Sequence, residues 1–124
     1  MNNQKVWIII AGFIGFTGVT LGAFGAHRLN DQLSSEMLSI YKTGVLYHLI
    51  HSVAILAIAF YGNKLLYKSA MMFVIGILLF SLSLYIYAQT GNKLFAMVTP
   101  IGGIFLLIGW VLIIFEGLKM KSES

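Results

Sequence analysis

Uninterrupted apolar runs, rather than alternation, dominate the chain. Stretches such as Val6–Ile10 and Val53–Phe60 carry no polar residue at every second position, which excludes the period-two pattern of a membrane-barrel strand. Charged residues punctuate these runs at nearly regular intervals. Lys5 and Arg28 bracket 22 uncharged residues, Lys42 and Lys64 bracket 21, Lys68 and Lys93 bracket 24, and Lys93 and Glu116 bracket 22. A hydrocarbon core of ~30 Å needs ~20 helical residues, so each window predicts one transmembrane helix, over 6–26, 43–61, 69–88 and 94–115. Only helices or closed barrels satisfy every backbone group in lipid. The pattern therefore predicts an all-α fold: one integral membrane bundle of four transmembrane helices, with residues 1–124 as a single domain.

The one long connection, 28–42, carries Leu29, Leu33, Met37 and Ile40 at the spacing of an amphipathic helix. It predicts an interfacial helix between the first and second spans, either an elbow running into the second or a lid over what lies between them. Ser34 is placed to cap it, with Glu36 in the first turn, where the helix dipole favours an acid.

Composition supports the membrane reading. Hydrophobic residues make up 59% of the chain and charged residues 10%, against the ~25% charged of soluble domains. Too few polar side chains exist to cover a soluble surface, which excludes a soluble domain, a disordered chain and a nucleic-acid binder. The formal charge of +4 suggests an acidic partner, but the lysines sit at helix ends, where they snorkel to headgroups and set orientation. Lys5, Lys64, Lys68, Lys119 and Lys121 share one side, and Arg28, Lys42 and Lys93 lie opposite. Five against three predicts a multi-pass plasma-membrane protein with both termini cytoplasmic. Trp7, Tyr61 and Tyr67 are expected to form one aromatic belt, and Tyr41, Tyr85 and Tyr87 the other. The first apolar stretch is longer than the ~7–15 residues of a secretory signal, so it predicts a retained helix. There is no cysteine, which removes disulfides, thiolate metal sites and cysteine nucleophiles.

Within the spans, two features carry candidate chemistry. Gly15, Gly18, Gly22 and Gly25 line one face of the first helix. Small residues let helices approach closely, so this stripe predicts packing against a helix of the same chain or a homo-oligomer seam. His48 and His51 share a helix face with Tyr41 and Gly44, and ionisable residues inside a membrane are functional candidates by default. Imidazole ligates metals and relays protons, and His27 extends the set. No Asp or Glu lies inside a predicted helix, so no metal site and no cofactor is expected. The competing reading is a neutral pair bonded to Ser, Thr or Tyr.

Helix parity places Thr17, Thr20, His27, Tyr47, His48, His51, Ser81, Ser83, Tyr85, Thr99 and Pro100 in the same half of the bilayer, and leaves the other half apolar apart from glycines and Trp110. Thr99–Pro100 followed by Gly102–Gly103 predicts an irregular entry or break in the fourth helix, opening a small cavity on the loop side.

The string Gly22-Ala-Phe-Gly-Ala-His27, then Tyr47 and His51, then Phe80-Ser-Leu-Ser-Leu-Tyr85, Thr99-Pro-Ile-Gly-Gly103 and Gly109-Trp110 resembles the YgdD/YwdK-like family. These are small multi-pass membrane proteins classed as a domain of unknown function, with a related eukaryotic branch. The resemblance runs through all four helices and implies a bacterial plasma-membrane protein; it carries no reaction, substrate or cofactor. Leu82 stands where the family pattern often has Gly, which implies a less close helix approach there.

Together these readings predict a non-enzymatic membrane protein, an accessory or assembly factor or a binder of a small lipid-phase ligand. The candidate ligand-binding residues are His27, Tyr47, His48, His51, Ser81, Ser83, Tyr85 and Thr99, with Gly102 and Gly103 joining the first-helix glycines as packing positions. The alternative is a small proton-coupled transporter or exchanger working through the histidines. No catalytic residue is assigned, because Ser83 with a histidine lacks a membrane carboxylate to orient the base. The lipid bilayer is the expected partner, and a second copy of the chain through the glycine face of the first helix is the other candidate.

Overall fold

The computed structural model describes residues 3–121. Four helices long and apolar enough to cross a membrane follow one another: α1 (Asn3–Leu29), α2 (Ser35–Tyr61), α3 (Lys64–Thr90) and α4 (Lys93–Lys119). Each is 27 residues long, about 40 Å at ~1.5 Å per residue, so the ends reach beyond a ~30 Å hydrocarbon core.

The turns explain where the helices stop. Gly-Asn-Lys-Leu occurs twice, at Gly62–Leu65 and at Gly91–Leu94. In each copy the glycine takes a left-handed conformation, φ 78° at Gly62 and 69° at Gly91, and its N–H closes the last helical turn on Ile58 or Tyr87. The asparagine then starts the next helix: Asn63 Oδ1 accepts from the Leu65 N–H at 2.9 Å, and Asn92 Oδ1 from the Leu94 N–H at 3.0 Å.

The first connection differs from the expected interfacial element. α1 runs on to Leu29 through a π-helical turn at Leu21–Gly25, and only residues 30–34 are non-helical. Ser34 caps as its position suggested, its Oγ accepting from the Met37 N–H at 3.2 Å. Residues 35–42, however, are the first turns of α2 itself, because nothing between Ile40 and Gly44 interrupts the helix. The amphipathic stripe Leu29, Leu33, Met37 and Ile40 packs on Tyr41, Tyr85 and Ala88. Its apolar face is turned to protein.

Each helix packs on the next in sequence, α1 on α2, α2 on α3 and α3 on α4. The central pair is the more enclosed: in an 18-residue apolar stretch of each helix, 39% of α2 and 44% of α3 is buried, against 17% for the outer helices. The glycine stripe of α1 is the α1–α2 seam. Gly15 faces Ser52, Gly18 faces His48 and Leu49, Gly22 faces Val45, and Gly25 faces the Tyr41 hydroxyl. That face is filled within the chain. α3 and α4 meet in a matching register: Gly76 receives Leu106, Gly109 receives the Phe73 ring, and Gly102 lies on the α3 backbone at Leu79–Phe80.

Two further expectations are corrected here. α4 is continuous from Lys93 to Lys119 with Pro100 inside it, so there is no break at 99–103. An unwound segment would expose several backbone groups to hydrocarbon, whereas Pro100 forfeits one bond. Tyr41, Tyr85 and Trp7 are only 1%, 5% and 8% exposed; they are core residues rather than members of a headgroup belt. Trp7 pairs with Tyr67 at 5.9 Å at one end of the bundle, and Tyr41 with Tyr85 at 5.1 Å at the other. Ser69 Oγ is fully buried without a hydrogen-bond partner among the described residues.

Candidate functional site

His48 is the fourteenth of the 27 residues of α2, at the middle of the bundle's length rather than near one end. α1, α2 and α3 converge on it. The α1 glycines bring that helix close enough for the Ile14 carbonyl to lie 2.8 Å from His48 Nε2 and for Thr17 Oγ1 to lie 3.1 Å away. On the other side Nδ1 lies 2.9 Å from the Tyr85 hydroxyl on α3. A carbonyl only accepts, so Nε2 carries the proton. No carboxylate of the described residues contacts the ring, and an unpaired buried imidazolium is costly. The ring is therefore neutral, and Tyr85 donates to Nδ1. The chain Tyr85 O–H to His48 to Ile14 ties three helices together.

His51 is buried one turn on but addresses other partners. Its Nδ1 donates to the Tyr47 carbonyl at 2.7 Å, and its Nε2 accepts from the Trp110 indole N–H of α4 at 3.0 Å. Indole is a donor only, which fixes the Nδ1–H tautomer, opposite to that of His48. Phe73 and Trp110 stand edge-on to the ring, with centroids at 5.2 and 5.8 Å. Both histidines thus have donor and lone pair engaged, and among the described residues no group of three or more His, Cys, Asp or Glu is positioned to hold a metal.

Ser81, Ser83, Thr99 and Tyr41 also join helices. Ser81, fully buried, donates to the Gly44 carbonyl at 2.7 Å, at the point where the Tyr85 ring crosses Gly44. Ser83 and Thr99 link α3 to α4 at 2.6 Å. Tyr41 donates to the Leu21 carbonyl at 2.7 Å. That carbonyl also receives the Ala26 N–H across the π-turn, so Tyr41 braces the one irregular stretch of α1.

Two predicted site residues stand apart. His27 is exposed: it lies two residues past Gly25, roughly 200° around the helix from the glycine face. Tyr47 is 38% exposed. Its ring lies 6.0 Å from His51 and 4.6 Å from Phe80, and its hydroxyl has no hydrogen-bond partner among the described residues. Trp110, grouped at the sequence level with the apolar half, is a network member. The missed signal was that an indole N–H deep in an apolar span needs an acceptor.

Two grooves flank this network, and neither is the loop-side cavity expected from a broken fourth helix. One, about 530 Å³, lies between α1 and α3 over His48, with walls that include Phe13, Ile14, Thr17, Val74 and Leu82. Leu82, 39% exposed, points into it and takes no part in a close approach. The second, about 420 Å³, lies between α2 and α4, lined by Tyr47, His51, Phe80, Pro100, Gly103, Ile104, Leu106, Leu107 and Trp110.

Four apolar spans joined by short capped turns, with interior polar groups paired to one another, define a multi-pass α-helical membrane protein. The sequence profile of the family described as protein of unknown function (DUF423) matches residues 21–103. Similar proteins include the UPF0382 membrane protein YwdK of Bacillus subtilis, 35% identical over 94% of this chain and 98% of the relative. A UPF0382 membrane protein of Haemophilus influenzae is 40% identical over 96% and 98%. The UPF0382 inner membrane protein YgdD of Escherichia coli K12 is 36% identical over 98% and 95%. The chain belongs to this DUF423, or UPF0382, family of membrane proteins. No solved structure matches it.

Proposed function

We propose that the protein is a non-enzymatic accessory factor of the plasma membrane that binds a small lipid-phase ligand in the groove between α2 and α4. The observation that carries this reading is Tyr47. Its hydroxyl has no partner among the described residues, and its side chain lines a concave, largely apolar groove. Small-molecule sites have this character, an apolar wall with few polar groups and volumes of roughly 300–1,000 Å³. The buried network behind Tyr47 serves as the rigid support. Proton-coupled exchange is less well supported, since each histidine has its N–H and its lone pair committed. The five basic residues on the side of the termini, against three opposite, support cytoplasmic termini.

Gly103 provides the test. A Cβ there would meet only Phe80, at 3.8 Å, so Gly103→Leu fits its backbone and fills the groove. Native mass spectrometry of gently extracted wild type is expected to show one small ligand per chain, absent from a folded Gly103→Leu variant. Wild type carrying nothing beyond bulk phospholipid would overturn the proposal.

A further inference from the structure

We infer that the ligand of the α2–α4 groove is a lipid-soluble planar ring bearing a carbonyl, of the quinone class; this rests on the groove being a binding site at all. Three features of the groove converge on that chemistry. The first is an open donor. Tyr47 lies five residues past Lys42, about 7.5 Å along α2 at ~1.5 Å per residue, and its hydroxyl has no hydrogen-bond partner among the described residues. A guest that carries its own acceptor into the groove satisfies that hydroxyl. A plain acyl chain would leave the Tyr47 O–H unpaired in an apolar medium.

The second is shape. Tyr47 and Phe80 form one aromatic wall, 4.6 Å apart, and Trp110, 41% exposed, forms the other. Aromatic walls favour a flat π system over a flexible chain. Between them Gly103 keeps the floor open, its missing side chain leaving only ordinary contact with Phe80. The third is fixed orientation. The Trp110 N–H is held by His51 at 3.0 Å, and the His51 Nδ1–H is held by the Tyr47 carbonyl. The Trp110 wall is thus locked from behind, and the Tyr47 hydroxyl is the donor left at the groove.

Trp7 and Trp110 are the two tryptophans, so Trp7→Phe leaves Trp110 as a single reporter at the groove. 2-Methyl-1,4-naphthoquinone titrated into that variant, in nanodiscs of phosphatidylethanolamine and phosphatidylglycerol, is expected to quench Trp110 saturably. Tyr47→Phe in the same background keeps the ring and is expected to raise the half-saturating concentration about tenfold, the scale of one buried hydrogen bond. Linear quenching of equal slope in the Trp110→Phe protein, where Trp7 reports, would mean partitioning into lipid alone and would overturn the inference. Saturable quenching indifferent to Tyr47→Phe would overturn the carbonyl-to-hydroxyl assignment. If native mass spectrometry finds a Gly103-sensitive ligand while the quinone fails to saturate, the ring assignment falls and the binding site stands.

Discussion

Gly102→Val is expected to abolish accumulation of folded protein. A side-chain carbon at position 102 would fall on the α3 main chain, against the Phe80 N–H and the Leu79 carbonyl carbon. No rotamer change relieves a contact with backbone, so α3 and α4 must separate. Separation also withdraws Leu106 from Gly76 and Phe73 from Gly109, because the three contacts share one register. Overpacking in a core costs typically 1–3 kcal/mol, and loss of a whole seam puts this variant at about 3 kcal/mol or more against a total stability of ~5–15 kcal/mol. Gly12→Val is the control, since nothing lies within 4 Å of a Cβ there. Fluorescence-detected size exclusion after mild extraction is expected to show a sharp peak for Gly12→Val and an aggregated or missing one for Gly102→Val. Two equal sharp peaks would mean that the α3–α4 crossing is not as close as described.

The second large effect is expected at His48. His48→Ala removes the ring that joins α1 to α3 and leaves the buried Tyr85 hydroxyl without the 2.9 Å partner it holds. A cavity and an unsatisfied polar group arise together. The expected destabilisation is about 3–5 kcal/mol, mostly from lost packing, because intramembrane hydrogen bonds alone contribute only ~0.6–2 kcal/mol. Reversible unfolding in mixed micelles is expected to move to much lower denaturant. A variant as stable as wild type would return His48 to the role of ligand or proton carrier.

Much of the fold was legible because lipid imposes it. Charged residues interrupt the apolar runs at nearly regular intervals, so spacing alone located four spans, and the α1 glycine stripe pointed to a close seam. The sequence left open whether that seam lay within the chain, and Gly18 against His48 and Leu49 answers it. Residues 35–42 run straight into α2, and spacing alone did not place their apolar face, because an amphipathic pattern reads the same on an interfacial helix and on the protein-facing end of a span. Pro100 misled for a related reason: in water such a residue usually ends a helix, but in hydrocarbon the remaining backbone bonds have no competitor.

For the candidate site, parity collected Thr17, His48, Ser81, Ser83, Tyr85 and Thr99, and the structure joins each of them to a neighbouring helix. Parity is blind to which way a side chain turns, however. It swept in His27, which faces outward, and it gave no hint that His48 and His51 address opposite flanks of the bundle. It also left Tyr47 undistinguished among its neighbours. Whether a hydroxyl is already paired depends on partners up to 59 residues away, as Trp110 and His51 are, and spacing along one helix does not contain that.

The central claim is that both intramembrane histidines are neutral structural links with opposite tautomers. Solid-state ¹⁵N NMR of histidine-labelled protein in bilayers, with His27→Gln to leave only the buried pair, tests it most directly. One ring is expected to show its proton on Nε2, assigned to His48 by its loss in His48→Ala. The other is expected to show its proton on Nδ1, with the Nε2 resonance moved by Trp110→Phe. Two rings protonated on the same nitrogen, or either ring carrying both protons, would contradict the hydrogen-bond network described for this bundle.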